Sequence, residues 1–230
     1  NTTASGNTAV GHGCLGGVST GQQNTAIGTG ALTGTNGNNN VAGGFYSQLL
    51  NSTGFNNVSL GHKSLYTNST GTQNVAVGFN ALQQNSTGSN NVALGHEALR
   101  LTTGSNSIAI GFQAADSNTT GSVTAIGYAA LGANTTGNAT AVGHAALGAN
   151  TSGLANTAIG NGALGSNTIA HYNTAVGNSA LGSNTQGSQN VAVGHDALDD
   201  NTTGDYNVAM GSNALAKVTT GSENTAIGTS

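Results

Sequence analysis

The sequence predicts an all-β protein: a parallel β-solenoid, or β-roll, of about fourteen coils, each 16–17 residues long. Three observations carry that prediction. One glycine closes a recurring five-residue phrase, and it returns at Gly11, Gly28, Gly44, Gly61, Gly78, Gly95, Gly111, Gly127, Gly143, Gly160, Gly177, Gly194, Gly211 and Gly228. The phrase itself, as in Asn74-Val75-Ala76-Val77-Gly78, alternates with the two-residue period of a strand. Proline is absent from all 230 residues, as continuous ladders of backbone N–H groups require. A unit this short cannot bury its own apolar side, whereas stacked copies can. The period is too short for paired helices and suits one solenoid coil advancing about 4.8 Å. Residues 1–230 therefore read as a single repeat array.

The repeat runs N-[T/V]-A-[V/I/L]-G-x-x-A-L-x-x-N-T-T-G-x-x. Its first phrase is a strand, with Val75 and Val77 on one face and Asn74, Ala76 and Gly78 on the other. Ala81-Leu82 reads as a second short extended piece, and Gly-x-x and Asn-Thr-Thr-Gly read as turns. Two ladders are expected to form the core. One is the column just before the glycine (Val10, Ile27, Leu60, Val77, Leu94, Ile110), broken by Gly43. The other lies four positions after it and is Leu in eleven of thirteen copies, among them Leu15, Leu82, Leu131 and Leu215. Two before the glycine stands Ala in every copy except Ser59, which predicts close approach by another sheet or another chain. Cys14 shares a small-residue column with Ala31, Ala81 and Ala130 and reads as a buried filler. The leading Asn (Asn24, Asn74, Asn91, Asn190, Asn224) predicts amides bonded from coil to coil. The glycine predicts a bend that needs positive φ or close backbone approach.

Composition narrows function. The chain carries three Lys/Arg and seven Asp/Glu, where a typical domain has about a quarter charged residues. Three cations give no footprint for nucleic acid. Ionisable groups are too scattered for a converging catalytic site, so no enzyme, no catalytic residue, no cofactor and no metal site is expected. Asp199, Asp200 and Asp205 read as solvated turn residues. No apolar run is long enough to cross a bilayer, and no membrane insertion is expected of this segment. The lone cysteine forbids an intrachain disulfide.

The phrases Asn24-Thr25-Ala26-Ile27-Gly28, Ser107-Ile108-Ala109-Ile110-Gly111 and Asn190-Val191-Ala192-Val193-Gly194 resemble the YadA-like head repeats of trimeric autotransporter adhesins, and similar repeats of phage and surface fibres. The resemblance spans the whole chain. It implies a left-handed β-roll, a homotrimer, and display on an outer surface for attachment. The coils here are longer than those of typical adhesin heads, with an added Asn-Thr-Thr-Gly turn.

Two surface features are candidates for function. The position after the invariant glycine reads Phe45, His62, Phe79, His96, Phe112, Tyr128 and His144 in consecutive coils. Such a strip is either a packed corner ladder at a subunit interface or an aromatic edge that docks glycans or a partner fibre. The turns repeat Asn-x-Ser/Thr at Asn1, Asn51, Asn68, Asn85, Asn118, Asn134, Asn150 and Asn201, candidate N-glycosylation sites in regular rows. Asn57 and Asn138 head further triplets, and Asn57 is expected to lie in the inner Asn ladder. The chain opens inside a turn at Asn1-Thr2-Thr3 and closes at Gly228-Thr229-Ser230, reading as an uncapped window of a longer fibre or as a subunit that stacks end to end. The expected function is a stiff extracellular fibre or adhesin segment on a cell surface or virion, partnered by copies of itself and by glycans or a host surface. The alternatives are an ice-binding β-solenoid and a glycan-coated filament subunit.

Overall fold

The structure is a computed structural model and describes residues 3–229. Expectations that rest on Asn1, Thr2 and Ser230 lie outside the described residues. Within them the chain consists of short strands joined by turns, with no helix, and it divides into two compact units, one ending at Gln113 and the other beginning at Ala114. The first holds β1 (Thr8–Val10), β2 (Thr25–Ile27), β3 (Val41–Gly43), β4 (Val58–Leu60), β5 (Val75–Val77), β6 (Val92–Leu94) and β7 (Ile108–Ile110). The second holds β8 (Thr124–Ile126), β9 (Ala139–Val142), β10 (Asn156–Ile159), β11 (Thr174–Val176), β12 (Val191–Val193), β13 (Val208–Met210) and β14 (Thr225–Ile227). Within each unit every strand pairs in parallel with the next in sequence, like on like: Ala76 opposes Ala93 and Ala192 opposes Ala209. Each unit is thus a parallel β-solenoid, as the repeat predicts.

The core differs from the expected one. The Leu ladder is inside, with Leu32, Leu65, Leu82, Leu131 and Leu198 fully buried. The column just before the glycine is outside: Ile27 is 52% exposed, Leu60 45% and Ile159 42%. The inner strand position belongs to Ala26, Ala76, Ala93, Ala141 and their equivalents, fully buried in the interior coils; in the terminal coils Ala9 is exposed and Ala226 half-buried. Their small size reflects a thin interior, in which Ala26, Ala31, Leu32 and Ala42 form one cluster with half-buried Cys14 and Leu15 against it. The period-two alternation was legible; which face looks inward was decided by the narrowness of the coil.

The second extended piece is absent. Ala81-Leu82 lies in a turn, and the ladder leucines adopt left-handed backbone, with φ +52 at Leu82 and +50 at Leu147. Gln48 and Ala115, which replace Leu in that column, do the same at +49 and +50. A left-handed non-glycine residue costs roughly 1–2 kcal/mol. Here burial of the side chain and coil-to-coil bonds such as Leu82 N–H to Ala98 O, 3.0 Å, hold the conformation. The invariant glycine meets both expected demands. Gly78 has φ +137, and a Cβ there would sit 2.3 Å from Gly95 O.

Two Asn ladders brace each unit internally. In the first, Asn74 Nδ2 donates to Asn57 Oδ1 and to Gly88 O, and Asn91 N–H donates to Asn74 Oδ1. In the second, Asn134 Nδ2 donates to Asn118 Oδ1 and to Gly137 O three residues on, both at 2.9 Å. The second ladder closes the Asn-Thr-Thr-Gly turn from inside. Four coils are 16 residues long, and each lacks Asn at the shortened corner. Where the turn is one residue shorter, Thr35 and Thr102 stand in the second ladder, and their Oγ1 atoms accept Gly37 N–H and Gly104 N–H, each at 3.2 Å. Threonine closes a three-residue turn that the longer Asn would overshoot. Where the residue preceding the strand phrase is missing, Val123 and Ala139 stand in the first ladder. Val18 and Val218 replace Asn in coils of full length, so the dependence runs in one direction only.

In the first unit the departures from three columns gather in one place. Gln48, Ser47, Ser59 and Ser64 are all fully buried. Gln48 Nε2 donates to Ser59 Oγ at 2.8 Å and Val41 O at 3.0 Å, while Ser47 Oγ bonds Ser64 Oγ at 3.0 Å and also Ser59 Oγ. Asn51 Nδ2 donates to Gln48 Oε1. These polar groups satisfy one another, as burial demands.

Candidate interaction surface

The strands turn one apolar face to solvent. In the first unit it is three rows wide: Val41, Val58, Val75, Val92 and Ile108; then Ile27, Leu60, Val77, Leu94 and Ile110; then the strip that follows the glycine. Val41, Ile27, Leu60, Ile108 and Ile110 are all exposed. The in-register pairing sets coil neighbours at the strand spacing of about 4.8 Å, so the rows are continuous except at Gly43, which separates Ile27 from Leu60. In the second unit the first row is mostly Thr (Thr124, Thr140, Thr157, Thr174), and exposed Ile126, Ile159 and Met210 stand in the second.

The strip forms real stacks. Phe45 and His62 lie 5.4 Å apart between ring centroids, His62 and Phe79 4.9 Å, and Phe79–His96 and His96–Phe112 5.0 Å, all within 14° of parallel. In the second unit Tyr128 and His144 stack at 5.1 Å. His62 Nδ1 is buried without a hydrogen-bond partner, so stacking holds that ring. His62, Phe79 and His96 each meet a ring on both faces, so this stretch of the strip turns ring edges outward. Beside it, His96 Nδ1 lies 3.7 Å from Glu97 Oε2, which also accepts from Gln113 Nε2 at 2.9 Å. Tyr46 packs on Phe45 at 3.9 Å, and Lys63 Nζ stands 5.7 Å over the Tyr66 ring.

The candidate glycosylation sites are corrected by their burial. Asn51, Asn68, Asn85, Asn118, Asn134, Asn150 and Asn201 are at most 1% exposed. They are the second Asn ladder, and a glycan on any of them would occupy the core. Asn57 lies in the first ladder, as expected, and is also buried. The sequence signal for the ladder was the triplet itself: Asn at a fixed corner, with its Gly three residues on. The threonines that follow the ladder Asn in these turns are half-buried to exposed, and in the second unit they form a brace. Thr119, Thr135, Thr151, Thr168, Thr185 and Thr202 each donate Oγ1–H to the carbonyl of the equivalent residue one coil on, at 2.8–3.2 Å.

The few charges pair locally. Lys217 Nζ bonds Asp200 Oδ2 at 2.9 Å, which raises the lysine pKa above its ordinary value. Burial, then the charges of Asp196 and Asp200, push the Asp199 carboxyl upward. Asp205 is separate in role, accepting Ser188 N–H at its own corner. Among the described residues no three His, Cys, Asp or Glu side chains are placed to hold a metal ion.

The fold and this surface define a β-solenoid repeat protein with an outward apolar strand face. Comparison with protein-family models, curated proteins and solved structures found no match.

Proposed function

We propose that this chain is a non-enzymatic, structural segment of an extracellular fibre, displayed on a cell surface or virion, whose strand face packs against copies of itself. The exposed apolar face of the first unit carries the reading. Soluble monomers rarely leave contiguous apolar patches larger than a few hundred Å² uncovered. Leu60, Val77, Leu94 and Ile110 form an unbroken apolar row beside a strip of stacked rings. Ring edges and flat aliphatic rows suit another protein surface better than a sugar, which stacks on open ring faces. The resemblance to trimeric adhesin heads favours three copies, and adhesion would then come from multivalent display.

Sedimentation equilibrium of the chain tests this. The wild type is expected to associate, and a Leu60→Asn/Leu94→Asn/Ile110→Asn variant to be monomeric with an unchanged circular dichroism spectrum. A wild type that stays monomeric at every concentration overturns the reading.

A further inference from the structure

We infer that Asn138 is the residue at which the folded chain accepts an N-linked glycan. The triplet Asn-x-Ser/Thr occurs ten times in the sequence, and Asn1 lies outside the described residues. Eight of the other nine (Asn51, Asn57, Asn68, Asn85, Asn118, Asn134, Asn150, Asn201) have their amides in the two internal ladders at 0–1% exposure. Among the triplet asparagines that the structure describes, Asn138 alone is exposed. Coil length explains the difference. The coil from Gly127 to Gly143 is one of the four short ones, and it lacks the residue that precedes the ladder position. Ala139 fills that position, buried to 8%, and Asn138 is left on the corner outside. Its Oδ1 accepts Ser122 N–H at 2.8 Å, which fixes the amide while the side chain stands in solvent. Thr140, the hydroxyl residue of the triplet, lies half-buried on the outward face of β9. Acceptor and hydroxyl are therefore both presented without unfolding a coil.

The donor is a glycosyl diphosphate, carried on a nucleotide or on a polyprenol lipid, with the transferase acting in trans. Asn138 Nδ2 attacks the anomeric carbon and a C–N bond forms. The C–O bond to the diphosphate breaks, and the diphosphate leaves with its electron pair. The amide proton passes to a base of the transferase. This inference does not rest on the proposed function: Asn138 stands at a corner, and Thr140 lies in the threonine row of the second unit rather than in the apolar rows of the first.

The test incubates the folded chain with an N-glycosyltransferase and its nucleotide sugar in one arm. A second arm uses an oligosaccharyltransferase with its lipid-linked donor. A urea-unfolded chain, diluted into each reaction, serves as control. Peptide analysis is expected to find a glycan at Asn138 of the folded chain in at least one arm, and none at a ladder Asn. That addition is lost in both Asn138→Gln and Thr140→Ala, while the unfolded chain is modified at several triplets. Modification of the folded chain at a ladder Asn, or none in either arm while the unfolded control reacts, overturns the inference.

Discussion

Replacing Asn184 by Thr separates the two roles of the second ladder. Asn184 Nδ2 donates to Asn167 Oδ1 at 3.1 Å and to Gly187 O at 2.9 Å, and its Oδ1 accepts from Asn201 Nδ2 at 3.0 Å. All four residues are essentially inaccessible to water. Gly187 O keeps a second donor, Asn173 Nδ2, at 2.8 Å. Truncation therefore orphans two groups, Asn167 Oδ1 and one amide hydrogen of Asn201. At about 1–3 kcal/mol for each buried unsatisfied group, the cost is about 4 kcal/mol. Deleting Gln186 as well recreates the short Thr-x-Gly turn seen at Thr102-Thr103-Gly104, where Thr102 Oγ1 accepts Gly104 N–H. That bond returns about 1 kcal/mol, and the orphaned ladder atoms remain. The natural short turn leaves the same scar: Asn85 Oδ1, one coil before Thr102, is buried with no partner. The assay is urea denaturation followed by circular dichroism on wild type, Asn184→Thr, and Asn184→Thr with Gln186 deleted. If the deletion variant is less stable than the single substitution, the coupling between corner length and ladder residue is refuted.

Three further outcomes are expected. Leu131→Ala, in the inner ladder at 0% exposure, costs about 2–5 kcal/mol. Ile159→Ala, on the outward face at 42% exposure, costs about 1 kcal/mol or less in the unassociated chain; equal losses in chemical denaturation would contradict the assignment of faces. Gly78→Ala forces a Cβ against Gly95 O at a φ of +137 and costs more than about 4 kcal/mol, read as a collapsed strand signal or a much lower melting temperature. Asp199→Asn stabilises the fold at neutral pH, because burial and the neighbouring carboxylates raise the native pKa of Asp199 above its unfolded value. A raised acid binds its proton more tightly when folded, so its penalty is present at neutral pH and fades as pH falls through the native value. The advantage of Asp199→Asn should fade with it; an advantage that persists in acid, below the carboxylate range, contradicts the assignment.

The strand phrases, their parallel stacking, the first Asn ladder and the invariant glycine were all legible because each follows from period and residue type. The direction of the strand faces was not. Val/Ile rows suggest a core, but a coil this thin has room only for Ala opposite Leu, and cross-coil distance is not written in a two-residue period. The second Asn ladder was hidden because Asn-Thr-Thr-Gly is also good turn chemistry, and the same letters serve an exposed turn or a buried amide. Ala81-Leu82 read as extended because left-handed leucine is rare. The aromatic and histidine column was visible as a column, whereas its face-to-face stacking, and hence its outward ring edges, required coordinates. The node at Ser47, Gln48, Ser59 and Ser64 appears in sequence as four unrelated exceptions.

Placing the largest core residue where the chain doubles back ties shape to identity at one column. The occupants are Leu, Gln48 and Ala115, none branched at Cβ, because a branched side chain at φ near +50 is a severe outlier. Isoleucine has the volume of leucine and would still be rejected. Repeats could therefore be duplicated, deleted or grafted between arrays, provided that this slot carries an unbranched side chain and the glycine that closes the strand phrase is kept. Mutational drift in the other columns would leave that slot and the invariant glycine as the most durable signatures of the coil.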